Sequence, residues 1–254
     1  MCGECPLRKA NGVEMKVYRI PTLIHFFGPD GSGKSTHVDI LLNLLKEQEP
    51  RVKKIWLRSP HTVAFLLWRL FIKVGFYRVV SNPFGDPVRL PAVNRKGSLR
   101  TLWALVEFFS VLPLIARIRF LMLRGYKCIA ERYVLDTIVT VAYFIGDMNF
   151  LTSRISSLLF RFIPPDTLFI FLDSDYGTVF RRRAHLRGKK RLRRNDGNYG
   201  SLPRAAVEPQ EFINFQRNAY KILSKSFHAT EIDTSSRTIK ETSNEIQKLL
   251  ESQA

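Results

Sequence analysis

Gly28-Pro29-Asp30-Gly31-Ser32-Gly33-Lys34-Ser35 fits the pattern G-x-x-x-x-G-K-[ST] without a mismatch. Those residue types at that spacing share one chemistry, the wrapping of a polyphosphate. Glycines at 28, 31 and 33 let backbone N–H groups turn inward on phosphate oxygens, and a following helix N-terminus adds partial positive charge. Lys34 is then expected to bridge the β- and γ-phosphates of a nucleoside triphosphate such as ATP, and the Ser35 hydroxyl to ligate Mg²⁺. Ser32 and Thr36 complete the phosphate-contacting turn. A second concentration of charge lies downstream, where nine of the fourteen residues from Arg181 to Arg194 are Arg or Lys. The five histidines show no ligand spacing, and no Ser/His/Asp or Cys/His arrangement is required.

Such groups need elements to hold them. Leu23–Phe27 is an apolar run leading straight into the loop, and Val38, Leu41, Leu42 and Leu45 follow at helical spacing until Glu49-Pro50. Strand, phosphate loop and helix are the context that the motif demands. Lys53–Leu57 predicts a second strand ending in Arg58-Ser59-Pro60. Ligands bind beyond the carboxyl ends of parallel strands, which puts Arg58 where a substrate anion is held. Lys127–Ala130, Thr167–Leu172 and His228–Ile232 predict three more strands, the first running directly into Glu131-Arg132-Tyr133. Helices are expected over Val63–Phe76, Leu102–Leu123, Val134–Ile145, Leu151–Phe162, Val207–Phe227 and Ile239–Leu250, and a loop over Ser81–Pro91, with its three prolines and a glycine. Strands separated by helices imply right-handed crossovers and a parallel sheet covered on both faces. The fold class is therefore α/β, a three-layer α/β/α P-loop NTPase fold with a five-stranded parallel sheet. Leu102–Ala116 contains a carboxylate and a proline and is short for a membrane span, so that helix is expected to flank the sheet.

Composition narrows the class. With 45% hydrophobic and 12% aromatic residues, the 254-residue chain can build one sizeable core and is not disordered. The net charge of +18 implies affinity for polyanions: nucleotides, nucleic acid or an anionic membrane. Three cysteines cannot all pair, and Cys2-Gly-Glu-Cys5 is a lone C-x-x-C, so a disulfide framework and a zinc site are not expected. The first twenty residues hold no apolar run like a signal peptide, and the expected location is cytoplasmic.

Together the motifs resemble the thymidylate kinase family of P-loop nucleoside monophosphate kinases. Gly28–Thr36 is similar to that family's phosphate loop, including the acidic third residue Asp30; Glu131-Arg132-Tyr133 resembles its D-R-Y motif. Pro165-Asp166 through Asp173, with the Arg-rich segment after it, resembles its fourth strand and lid, and Ile232-Asp233 its fifth strand. The resemblance covers roughly residues 22–60 and 121–250. It implies that Lys34 is the phosphate-loop lysine and Ser35 the Mg²⁺ ligand, with Asp30 meeting the acceptor's sugar hydroxyl and Arg58 the acceptor phosphate. Glu131 would stand near Mg²⁺ through water and Arg132 between the two nucleotides. Arg182 and Arg187 would be lid arginines neutralising the transferring phosphoryl group. It divides the chain into a tail at 1–20 and one kinase domain at 21–254, with an acceptor-side helical segment at 61–124 and a basic lid at 181–204.

Three departures concern the acceptor base. The family's base-reading arginine would fall near Ser110; Asp136 replaces a serine; and Ala142-Tyr143 comes one helical turn late. Thymine preference is therefore expected to be weak or absent, unless an arginine of the unmatched segment, such as Arg89, Arg95 or Arg100, supplies the contact. The leading expectation is an ATP- and Mg²⁺-dependent nucleoside monophosphate kinase. A nucleoside kinase and a nucleotide-dependent binding protein at RNA or an anionic membrane are the alternatives. Nucleotide substrates are the expected partners, with a homodimer and peripheral contact of the basic segments with membrane or nucleic acid left open.

Overall fold

The computed structural model of the chain describes residues 7–10, 13–16, 18–82, 87–95, 97–184 and 208–252. The C-x-x-C pair, Arg187 and the basic segment beyond residue 184 lie outside them.

The framework is a five-stranded sheet of β3 (Leu23–Phe27), β4 (Val52–Trp56), β7 (Lys127–Arg132), β8 (Thr167–Asp173) and β9 (Thr230–Asp233). Their spatial order is β4-β7-β3-β8-β9, and every neighbouring pair is parallel. The phosphate-loop strand β3 thus lies in the middle, in register with β7 through Leu23↔Cys128 and with β8 through Phe27↔Phe171. All five of its residues are buried, which is why the sequence there is apolar but for His25 rather than alternating with exposed polar residues.

Two cores cover the sheet. On one face Ile24, Phe26, Ile129, Ile170 and Leu172 pack against α1 (Lys34–Lys46) and α8 (Ile239–Glu251) through Val38, Leu41, Leu45, Ile246 and Leu250. On the other face Leu23, Phe27, Ala130 and Phe171 meet α3 (Gly97–Leu123), α4 (Val134–Ile145) and α7 (Gln210–Ser226), with Trp103, Ile115, Ile138 and Tyr220 at the centre. The same alternation along β3 leaves His25 on the second face, fully buried among aromatic rings of Phe27, Tyr133 and Phe169 at centroid distances of 5.7, 5.9 and 5.9 Å. Burial lowers its pKa to about 3, so the ring is neutral.

The remaining helices are α2 (Thr62–Lys73), α5 (Arg154–Phe160) and α6 (176–184), with 3₁₀ turns at Val93–Arg95 and Met148–Thr152. Three sequence expectations change here. Part of the tail at 1–20 forms an antiparallel hairpin, β1 (Leu7–Ala10) with β2 (Val13–Lys16). The stretch read as a loop around Ser81–Pro91 carries a second antiparallel hairpin, β5 (Tyr77–Ser81) with β6 (Pro87–Pro91). Its prolines sit at the two ends of β6, positions where a strand of a two-stranded ribbon tolerates the missing N–H. The helix expected at Leu151–Phe162 divides, because the Ser153 side chain accepts the Ser156 N–H and starts α5 afresh.

Candidate active site

The loop after β3 can be built only from glycine at two of its turns. A Cβ on Gly28 (φ 145°) would lie 2.1 Å from the Leu172 carbonyl oxygen of β8, and one on Gly31 (φ 98°) 2.8 Å from Val179 of α6. The loop is pressed against these two elements, and Thr234, just past β9, donates to the Ser32 carbonyl at 3.0 Å. The Ser32 hydroxyl is buried with no hydrogen-bond partner, an orphaned polar atom at the loop wall.

Lys34 opens α1 and is buried, its Nζ donating to the carbonyls of Gly28 (2.7 Å) and Pro29 (2.8 Å). Burial lowers its pKa to about 8; Arg183 and Arg58 push the same way, while Asp136 and Glu131 oppose. Phosphate oxygens in place of the two carbonyls would give the ammonium the charge partner it lacks. One residue on, the Ser35 hydroxyl donates to Glu131 at the end of β7. The other Glu131 oxygen takes Lys54 Nζ at 2.9 Å, and Lys54 also reaches Asp39 at 2.8 Å. Among the described residues no group of three or more His, Cys, Asp or Glu could hold a metal alone. A Mg²⁺ ion needs none, since it keeps waters and takes one or two protein oxygens beside substrate phosphates. Ser35 and Glu131 fit that requirement.

Across the loop lies a cluster of opposed charges. Buried Arg132, the last residue of β7, is paired with Asp30 and, at 3.0 Å, with Asp136 of α4. The Asp136 carboxylate also accepts from Tyr220 of α7 (2.9 Å), and Gln216 of α7 accepts the Asp30 N–H (3.1 Å). Burial raises the Asp136 pKa, and the charges of Arg132 and Lys34 oppose the rise. Arg58, beyond β4, lies 3.4 Å from Asp30 and 2.7 Å from Glu208, with 40% of its side chain exposed. It is the cation of this cluster that reaches solvent.

Arg182 of α6 donates to the carbonyl of Gly31 (3.3 Å) and to the Thr234 hydroxyl (3.2 Å), bracing the outside of the phosphate loop. Its neighbour Arg183 is the arginine whose charge bears on Lys34, Arg132 and Arg58. Thr36 is exposed on the first turn of α1.

On the acceptor side, Ser110 is committed to packing: its hydroxyl accepts the Ala64 N–H (3.1 Å) and its carbonyl the Thr62 hydroxyl (3.2 Å). Beside it Glu107 is fully buried, accepting from the Ser59 hydroxyl and the His61 N–H (3.3 Å). Burial raises its pKa to about 7, with those two hydrogen bonds opposing. Arg89 lies over Tyr77, 5.2 Å from the ring centroid, and Arg100 donates to the Asn94 carbonyl. From the β5–β6 hairpin, Arg78 lies over Tyr143 of α4 at 5.2 Å, its Nε buried without a partner.

Of the residues singled out from sequence, the structure gathers Gly28, Asp30, Gly31, Ser32, Gly33, Lys34, Ser35, Arg58, Glu131 and Arg132 around one loop. Sequence reasoning missed Lys54, Arg183, Gln216 and Tyr220, which reach the cluster from three elements, β4, α6 and α7. Asp136 was readable only as a departure, though its i, i+4 spacing from Arg132 already allows the ion pair.

At the level of sequence, no family model and no curated protein matches the chain. Solved structures do. The thymidylate kinase of Candida albicans matches at 17% identity over 92% of each chain, with a TM-score of 0.53. That of Ehrlichia chaffeensis matches at 16% identity over 90% of this chain and 97% of its own, with a TM-score of 0.48. Identity this low speaks for architecture alone, and the architecture agrees with the sheet, loop and crossovers described above. The chain has the fold of the thymidylate kinases.

Proposed function

We propose that the chain is an ATP-dependent phosphotransferase that moves the γ-phosphoryl group of ATP to a (deoxy)nucleoside monophosphate. The observation that carries this reading is the presence of two cations at the loop, buried Lys34 on the first turn of α1 and solvent-reaching Arg58, paired with Asp30, beyond β4. One suits a donor polyphosphate and the other an acceptor phosphate. Ser35, with Glu131 close by, would hold Mg²⁺, which would supply charge neutralisation at the phosphate oxygens. Lys34 and Arg183 bring further positive charge to the same oxygens, and Asp30 can orient a sugar hydroxyl.

A monophosphate acceptor fits better than a nucleoside. A hydroxyl nucleophile needs a carboxylate free to take its proton. Asp30 and Asp136 are both engaged with Arg132, and Glu131 with Lys54 and Ser35. A phosphate acceptor needs only position and charge. For the base, the Ser110 hydroxyl is tied to the Ala64 N–H, and Arg78 beside Tyr143 is a guanidinium with an uncommitted donor in its buried Nε. The Candida albicans enzyme is described as having broad substrate specificity. A broad acceptor range is expected here too.

A coupled ADP-release assay over dTMP, dUMP, UMP, CMP, AMP and the corresponding nucleosides tests the reading. Turnover is expected with several monophosphates and with no nucleoside, and Lys34→Ala should abolish it. Turnover with nucleosides, or none with any monophosphate, would overturn the proposal. A dTMP preference above roughly a hundredfold would reveal a dedicated thymine reader.

A further inference from the structure

Exposed large apolar side chains are concentrated on one part of the molecule. Among the described residues, twelve of the fifteen fall between Trp56 and Leu123. On α2, Val63, Leu66 and Leu70 share one outward face; on α3, Leu102, Phe109 and Leu123 recur at multiples of seven residues, hence along one stripe. The stripe is about 32 Å long at 1.5 Å per residue. The helices touch where Thr62 and Ala64 hydrogen-bond Ser110, and the exposed Val63 and Phe109 are chain neighbours of those contacts. Leu66 and Leu123 are 64% and 80% exposed, and soluble surfaces seldom leave such side chains clustered.

The charge around this face has one sign. The two helices carry five Lys and Arg against a single acid, Glu107, which is buried in the core. Two cations lie over aromatic rings of the face: Arg124, just past α3, over Phe120 at 4.5 Å and Arg69 over Phe65 at 6.0 Å. Long cationic side chains lying along apolar surface with their heads outward are suited to a boundary between hydrocarbon and anionic headgroups.

We propose that the outer face of α2 and α3 docks the protein on an anionic lipid surface. A second copy is the poorer occupant, because a two-fold contact would set this cationic rim against itself. Spanning is excluded by the other side of the same helix. Although α3, with 27 residues, is long and apolar enough to cross a bilayer, its inner side packs Trp103, Val111 and Ile115 into the core. It can lie on a membrane but cannot leave the sheet to enter one. The proposal does not depend on the kinase reading, since it uses no residue of the phosphate site.

Co-sedimentation of the full chain with vesicles tests it, using phosphatidylcholine alone and phosphatidylcholine with about one-third phosphatidylserine. The chain should bind the anionic vesicles at least tenfold better than the neutral ones. Leu66→Asp with Leu123→Asp should reduce binding by at least tenfold. Should that variant not fold, Arg69→Gln with Lys73→Gln, at about fivefold per cation, should give a comparable loss. Absence of binding overturns the proposal. So does undiminished binding by both variants, which would assign attachment to the Arg181–Arg194 segment. A sedimenting dimer that Leu66→Asp with Leu123→Asp converts to monomer would overturn it in favour of a second copy.

Discussion

Lys34 is an ammonium without a carboxylate, and that governs how it meets a ligand. Two carbonyl oxygens hold it, and burial brings its pKa to about 8. Above that pH the free protein increasingly presents a neutral amine, so ATP affinity should weaken as pH rises past about 8. Calorimetric binding constants from pH 7 to 9.5 check this, and a flat profile would contradict it. Arg132 presents the opposite case, a cation gripped by two buried carboxylates. Arg132→Ala should cost about 3–5 kcal/mol of stability as well as turnover, because Asp30 and Asp136 are left unpaired. Urea unfolding measures the first and ADP release the second. The loop and its lysine were legible in the sequence because consecutive residues form them. Tyr220 and Gln216 were not, since nothing local on α7 announces that they face Asp136 and Asp30 across nearly a hundred residues or more.

At the scale of elements, α3 joins the sheet to the turn that carries Arg58. Glu107 makes that joint, accepting from Ser59 and His61 just beyond Arg58. Its folded pKa of about 7 lies above the unfolded value, so the folded state binds its proton more tightly. The stability this contributes is present at low pH and is lost as pH rises through about 7. Glu107→Gln can keep both contacts without the charge and should be more stable than the parent by about 2–3 kcal/mol at pH 8, with little difference near pH 4. Urea denaturation at the two pH values decides it. The five sheet strands were legible because each is short and bounded by turn residues, and the central β3 and β8 are mostly apolar. The β5–β6 hairpin was not: prolines argue against strands in general, and only the ribbon's geometry shows that these lie at strand ends. The break before α5 was hidden for the opposite reason, since apolar spacing continues through the Ser153 cap.

For the molecule as a whole, the sheet sorts its side chains to two sides so completely that an ionisable ring became part of the interior. His25 lies at the centre of the strand that leads into the phosphate loop, and its pKa of about 3 is far below the ordinary imidazole value. His37 and His61, also buried, are lowered to about 4, chiefly by desolvation. A histidine whose folded pKa is depressed contributes stability above its unfolded value near 6.5 and loses it as pH falls toward the folded one. With three such groups against the buried carboxyls of Glu107 and Asp136, which pull the other way, acid unfolding should set in between about pH 6 and 4. His25→Phe, which keeps an aromatic ring in an aromatic cage, should shift the midpoint of an acid titration followed by circular dichroism downward. An unchanged midpoint would clear His25 of the part assigned to it. A chain whose central strand closes only around an uncharged imidazole has its acid sensitivity built in directly beneath the phosphate loop.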